Sequence, residues 1–243
     1  MAVHKAVRWP KIFLFGDSIT QFCFSAEGYW GGLIADHFQR RADVVARGFS
    51  GYNTRQCRAL LPYVASDLKE VAGATIFLGA NDASESVNTQ QYVPLHEYVQ
   101  NMKDIVAHFQ KDGVDPIVIT PPALDGDAWL RNCKESGRVY TKDEELTAKY
   151  AQACSNAAAD MKVPCIDLHT AMINQEDWQS LLCDGLHLSR RGSELLASLL
   201  VPALEKQLVK HLPSEPLLPL WDEIDGENPS NSFLEWYNKN KLA

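Results

Sequence analysis

An alternation constrains this chain more than any other feature. Five short apolar runs, at residues 11–15, 43–46, 74–78, 116–120 and 163–168, are separated by longer stretches of helical periodicity. Each run is rich in β-branched or aromatic residues and lacks polar alternation, the pattern of strands covered on both faces. The intervening stretches carry apolar residues three and four apart. Trp30, Leu33, Ile34, His37 and Phe38 share one helix face, and Leu95, Val99, Met102, Val106 and Phe109 share another. Residues 141–161 predict a third helix, with Thr141 as N-cap and Glu144 three residues on. Residues 189–212 predict a fourth, which Pro202 should kink or divide. Strands alternating with helices imply right-handed βαβ units and a parallel sheet with helices on both sides. The expected fold is a three-layer α/β/α sandwich.

A chain of 243 residues favours one domain over two. The expected division puts a domain at 1–212 and a tail at 213–243. The stretch 213–232, rich in Pro, Asp, Glu and Leu, reads as extended chain laid over the surface. Leu217, Leu218, Leu220 and Trp221 need burial there, on their own domain or on a second copy, so a homodimer is one expectation. The formal net charge of −8 argues against a nucleic-acid partner, and the basic cluster at 5–11 is short and mixed with apolar residues. No stretch approaches the roughly 20 apolar residues of a membrane span. Residues 1–10 contain His4, Lys5 and Arg8, and the apolar run that follows is too short for a signal-peptide core. The expected location is cytoplasmic. Cys23, Cys57, Cys133, Cys154, Cys165 and Cys183 show neither C-x-x-C nor zinc spacing, and read as free thiols, Cys183 as a buried spectator.

Ligands of open parallel sheets bind outside the carboxyl ends of the strands. Those ends carry Gly16-Asp17-Ser18, Gly48-Phe49-Ser50-Gly51, Gly79-Ala80-Asn81-Asp82 and Thr120-Pro121-Pro122, and Asp184-Gly185-Leu186-His187 follows near the end of the chain. Together they supply an acyl-transfer set. Ser18 is a nucleophile that needs a base, His187 can be that base, and Asp184 can hold the other imidazole nitrogen. The tetrahedral intermediate needs oxyanion donors, for which the backbone N–H groups of Ser18 and Gly51 and the carboxamide of Asn81 are candidates. Other readings stay open at this point. Asp17-Ser18 suits a helix cap, Asp82 a structural turn, and His169 competes for the role of base. Asp17, Asn81, Asp82 and His187 offer a sparse ligand set for a metal-dependent phosphoesterase. Trp129, in the loop expected after strand four, suits a pocket wall or a packed lid. Neither G-x-G-x-x-G nor a P-loop is present, which disfavours nucleotide binding. No G-x-S-x-G elbow exists.

These blocks, in this order, resemble the SGNH (GDSL-type) hydrolases: Phe15-Gly16-Asp17-Ser18, Gly48 to Gly51, Gly79-Ala80-Asn81-Asp82 and Asp184-Gly185-Leu186-His187. More narrowly, GFSGYNTR, GANDA and LLPLWDEID resemble the isoamyl acetate-hydrolysing esterase branch. Two departures stand out: Ile19 where the family name has Leu, and Ala46 where relatives often have Asn. The resemblance implies a flavodoxin-like sheet of order 2-1-3-4-5, and neither metal nor organic cofactor. It implies a serine esterase for small acetate-type esters, the small-molecule ester being its partner. Alternatives on the same machinery are a sugar or glycan O-deacetylase, a lysophospholipase or thioesterase, and a catalytically silent scaffold.

Overall fold

The computed structural model describes residues 7–26, 28–64, 70–88 and 90–240; His4 and Lys5 lie outside them. The first half of the chain runs β1 (Lys11–Gly16), α1 (Ser18–Gln21), α2 (Trp30–His37), β2 (Asp43–Gly48), α3 (Thr54–Val64), β3 (Val71–Phe77) and α4 (Leu95–Lys111). The second half runs β4 (Asp115–Ile119), α5 (Gly126–Ser136), α6 (Glu144–Met161), β5 (Cys165–Ile166), α7 (Leu168–Ile173), α8 (Arg190–Leu208) and α9 (Pro229–Asn240). The strands form one parallel sheet of order β2-β1-β3-β4-β5, the order that the resemblance implies.

Successive strand side chains point to opposite faces, and β1 uses this to sort the core into halves. Ile12 and Leu14 join Trp30 and Ile34 of α2, Phe38 at its C-cap, and Leu196, Leu200, Leu204 and Leu208 of α8. Phe13 and Phe15 join Leu61 of α3, Met102, Ile105 and Phe109 of α4, and Tyr150 of α6. A strand covered on both faces has no solvated side, which is why its sequence shows no polar alternation.

The register aligns the carboxyl ends of the central strands: Gly16 pairs with Gly48 on β2 and with Phe77 on β3. The loops after β1, β2 and β3 therefore leave the sheet side by side. The first turn of α1 lies so close to the end of β2 that a Cβ at Gly48 would sit 1.9 Å from the backbone N of Gln21. Only glycine fits there.

Several elements depart from the sequence expectations. The strand expected at 163–168 shrinks to Cys165–Ile166 because Asp167 leaves the sheet to cap α7, its carboxylate accepting from Thr170 N–H at 3.1 Å. α5 forms where a loop is expected, with Asp125 accepting from Ala128 N–H at 3.0 Å and Gly137 closing the far end at φ 68°. The N-cap of α6 is Asp143, which accepts from Leu146 N–H at 2.6 Å, rather than Thr141. α8 runs unbroken through Pro202. The stripe of buried leucines on both sides of the proline packs on the sheet and holds the helix together past its missing hydrogen bond.

The segment after 212 is strapped to the turn between α2 and β2. Leu217 N–H donates to Arg40 C=O at 2.8 Å, Arg40 Nη2 donates to the carbonyls of Leu218 (2.9 Å) and Pro219 (2.8 Å), and Arg41 Nε donates to Pro213 C=O at 2.8 Å. Leu217 is buried, as expected, but Trp221 is 85% exposed. A 3-10 turn at Trp221–Glu223, closed by Leu220 N–H on Glu223 Oε2 at 2.6 Å, carries the indole away from the domain. The chain then forms α9 where extended structure is expected as far as 232. Among the described residues, no helix is long and apolar enough to cross a membrane.

Candidate active site

Ser18 opens α1 directly after β1, and the two readings of Asp17-Ser18 turn out to be one device. Asp17 is the cap: its buried carboxylate accepts from Ile19 N–H at 3.0 Å. Burial pushes the Asp17 carboxyl up to about 6 against the opposing pull of that bond and of the His187 and Lys142 charges. Ser18 is the first helical residue, and the first N–H groups of a helix have no acceptor within it. The cap thus takes the N–H of Ile19, while the Ser18 N–H, beside its hydroxyl, has no acceptor within the helix.

Ser18 Oγ lies 2.9 Å from His187 Nε2, and His187 Nδ1 lies 2.7 Å from Asp184 Oδ2. The other oxygen of Asp184 accepts from the N–H groups of Leu186 (3.0 Å) and His187 (2.8 Å). Burial raises the Asp184 carboxyl, but these bonds and the His187 charge outweigh it and hold the group below the usual carboxylate range. An ionised carboxylate at this distance fixes the proton on Nδ1 and leaves Nε2 to accept from the serine. The ring is held edgewise between Trp129 at 5.9 Å and Phe22 at 6.4 Å. The competing His169 sits on α7, where its N–H bonds Thr120 Oγ1 at 3.1 Å.

Gly51 and Asn81 reach the same pocket. It has a volume of about 130 Å3 and is lined by Ser18, Gly51, Asn81, Trp129, Lys142 and His187 among others. Gly51 adopts φ +81°, a left-handed conformation that suits glycine. Asn81 is nearly buried, its Nδ2 donating to Tyr52 C=O at 2.8 Å. The structure thus brings together Ser18, Asp184, His187, Gly51 and Asn81. Asp82 turns elsewhere, as its structural reading requires. It is fully buried and accepts from Thr54 N–H at 3.0 and 3.1 Å and from Thr54 Oγ1, which anchors the start of α3, and burial pushes it up to about 7. With Asp17 and Asp82 committed to helix starts, the ligand set weighed for a phosphoesterase does not converge.

Sequence reasoning missed two residues here and left one open. Lys142 is buried in the pocket wall, its Nζ donating to Ala80 C=O at 2.6 Å and Ser84 Oγ at 3.0 Å. Burial lowers its ammonium to about 8 against the pull of Asp17 and Asp82. No local signal marks it, since it lies between a threonine and the cap of α6. Gln91 lines the pocket from the loop before α4. Trp129, left open between wall and lid, is both pocket wall and neighbour of His187. On the far side of His187 lies a second pocket of about 280 Å3, lined by Ile19, Phe22, Ser25, Asp184 and Leu188 among others. Cys183 is exposed on its rim rather than buried, because the loop closed by Cys183 N–H on His187 C=O at 2.9 Å leaves its side chain outside.

A serine, an imidazole and a carboxylate in hydrogen-bonded line beyond the carboxyl end of an interior strand of a parallel sheet can carry out acyl transfer. The model of the GDSL-like lipase/acylhydrolase family matches residues 14–195, and the chain belongs to that family. The isoamyl acetate-hydrolyzing esterase 1 homolog of Mus musculus is 41% identical over 237 residues, covering 94% of each chain. The isoamyl acetate-hydrolyzing esterase of Saccharomyces cerevisiae is 32% identical over 235 residues, covering 90% of this chain and 98% of its own. In structure, a lipase/acylhydrolase from Enterococcus faecalis superposes with a TM-score of 0.66 at 24% identity, over 85% of this chain and 98% of that one. An acetylxylan esterase from Geobacillus stearothermophilus does so with a TM-score of 0.62 at 19% identity, over 81% of this chain and 95% of that one, a likeness of fold. The chain is a carboxylic ester hydrolase.

Proposed function

We propose that the chain hydrolyses small acetate-type esters through an acyl-enzyme on Ser18. The observation that carries this reading is the pair of hydrogen bonds Ser18–His187 and His187–Asp184, at 2.9 and 2.7 Å. Ser18 Oγ attacks the ester carbonyl while His187 Nε2 takes its proton. Asp184 holds the imidazolium so formed. The carbonyl oxygen becomes an oxyanion that accepts from Ser18 N–H, Gly51 N–H and Asn81 Nδ2. As the intermediate collapses, His187 gives its proton to the departing alcohol and the acyl group stays on Ser18. Water then enters, gives a proton to His187 and attacks the acyl carbon. The carboxylic acid leaves as Ser18 recovers its proton.

The pocket of about 130 Å3 beside Ser18 supports a small acyl group, and the more apolar one of about 280 Å3 beside His187 supports an apolar alcohol. The relatives named for isoamyl acetate agree with that division. The six cysteines, none of which forms a disulfide, support a reducing compartment such as the cytosol.

The test is a burst-phase assay on p-nitrophenyl acetate and p-nitrophenyl decanoate with wild type and Ser18→Ala, each with and without EDTA. Acetate turnover that requires Ser18, exceeds decanoate turnover and ignores EDTA is the expected result. Normal turnover by a folded Ser18→Ala variant removes the serine mechanism. Turnover of neither ester by wild type moves the reading to a sugar O-deacetylase or a silent scaffold.

A further inference from the structure

A carboxamide serves an oxyanion only with its nitrogen turned toward it, and an Asn side chain can turn over about its last bond. Turning over exchanges a donor for an acceptor at the same place. Two contacts oppose this at Asn81. Its Nδ2 donates to Tyr52 C=O at 2.8 Å, and its Oδ1 accepts from Gln91 Nε2 at 3.1 Å. Turned over, it would set a carbonyl against a carbonyl and an NH2 group against an NH2 group. In the observed orientation Tyr52 uses one Nδ2 hydrogen and leaves the second for a ligand.

Gln91 is itself held in place. Its two Nε2 hydrogens go to Asn81 Oδ1 and to Gly51 C=O at 3.2 Å, and its Oε1 accepts from Asn88 Nδ2 at 3.1 Å. Asn88 Oδ1 accepts from Gln91 N–H at 3.3 Å, and Asn88 Nδ2 also reaches Thr141 Oγ1 at 3.2 Å. One nitrogen therefore touches both residues read as donors from the loops after β2 and β3. It is also what a Cβ on Gly51 would meet first, at 3.7 Å. With both hydrogens spent, Gln91 has no donor left for substrate.

We propose that Gln91 is the positioning residue of the oxyanion hole, keeping the Asn81 nitrogen turned into the pocket and holding Gly51 from its carbonyl side. This rests on the reading of Asn81 as an oxyanion donor. Gln91→Ala removes one of the two contacts that orient the Asn81 carboxamide and leaves only Tyr52 C=O to oppose turning over, so kcat falls while KM changes little. Gln91→Glu keeps the shape but sets a carboxylate against Asn81 Oδ1 and Gly51 C=O. The Asn81 nitrogen then turns toward the new carboxylate and away from the pocket. Protonating that carboxyl restores one donor.

The test measures p-nitrophenyl acetate kinetics for wild type, Asn81→Ala, Gln91→Ala, Gln91→Glu and the Asn81→Ala/Gln91→Ala double variant, each with a wild-type circular dichroism spectrum. Asn81→Ala should lower kcat by roughly 10²–10³, and Gln91→Ala by roughly 10- to 100-fold at near-constant KM. The double variant should be slower than Asn81→Ala by far less than the Gln91→Ala factor, since Gln91 acts mainly through Asn81 and otherwise only through Gly51. The ratio of Gln91→Glu to wild-type activity should rise as the pH falls from 8 to 5. A slow Asn81→Ala beside a normal Gln91→Ala overturns the positioning role alone, and so do losses that multiply in the double variant. A normal Asn81→Ala removes the oxyanion reading itself. If Gln91→Ala does not fold, the isosteric Gln91→Glu decides by its pH ratio: a flat ratio overturns the proposal.

Discussion

Asp184 shows what a single residue contributes to this site. Its two oxygens serve different purposes: one holds the His187 ring, and the other holds the loop through the N–H groups of Leu186 and His187. Asp184→Asn keeps an acceptor for the loop. It places either an NH2 group or a neutral carbonyl against Nδ1, so it no longer enforces the tautomer that the proposed base requires. By analogy with the same change in other Ser-His-Asp sites, kcat should fall by roughly 10⁴ with the melting midpoint nearly unchanged. Steady-state kinetics beside a thermal melt checks both halves. Ser18, Asp184, His187, Gly51 and Asn81 were all legible in the sequence because each lies in a short polar motif after an apolar run. Gln91 and Lys142 were not. What they do depends on which carbonyls face them, and those belong to loops far away along the chain.

Among the elements, α1 shows how a few residues depend on their surroundings. Spanning only Ser18–Gln21, it is far too short to be stable alone. It holds because Asp17 caps it and because β2 ends in a residue without a side chain. A methyl group at Gly48 would meet the backbone of Gln21 at 1.9 Å and of Thr20 at 2.4 Å, atoms that cannot swing aside as a side chain can. Gly48→Ala should therefore cost more than about 2 kcal/mol of stability and displace Ser18, so that both the urea midpoint and ester turnover fall. An unchanged midpoint would mean that α1 can shift at little cost. The long helices were readable from their apolar spacing. α5 was not, since its caps Asp125 and Gly137 flank a segment in which Trp129 and Cys133 are the main buried side chains.

At the scale of the whole molecule, buried charge sets a dependence on pH. Asp17 and Asp82 are raised by burial to about 6 and about 7. Between the ordinary carboxylate range and those values, the folded chain binds protons that the unfolded chain does not. Their contribution to stability is thus full at low pH and is lost as the pH rises through 6 and then 7. Lys142 works in the opposite sense but in another window: its depressed value near 8 costs stability only as the pH falls from the ordinary lysine range through 8. Asp184, held low, keeps its contribution throughout the window above the ordinary carboxylate range. The melting midpoint should accordingly be higher at pH 5.5 than at pH 7.5, and Asp82→Asn should flatten the upper part of that slope. A midpoint that rises over the same interval would show that these two groups do not govern it.

The sequence by itself determined the layers, the direction of the sheet and which polar motifs come to face one pocket. Hydrophobic periodicity is a local property, and the motifs around Ser18, Gly51 and Asn81 follow directly after the strands that support them. Where the tail would go was beyond it, because Leu217 is buried by Arg40 and its neighbours while Trp221, four residues on, faces solvent. Only the tertiary structure decided how the motifs meet. The pairing of Gly16 with Gly48 and Phe77 sets Ser18, Gly51 and Asn81 side by side, and the return of the chain before α8 brings His187 to within 2.9 Å of Ser18. The orientation of the Asn81 carboxamide was decided there as well. A hydrogen bond between residues far apart in sequence exists only when the fold has placed both ends, and no local pattern encodes that placement.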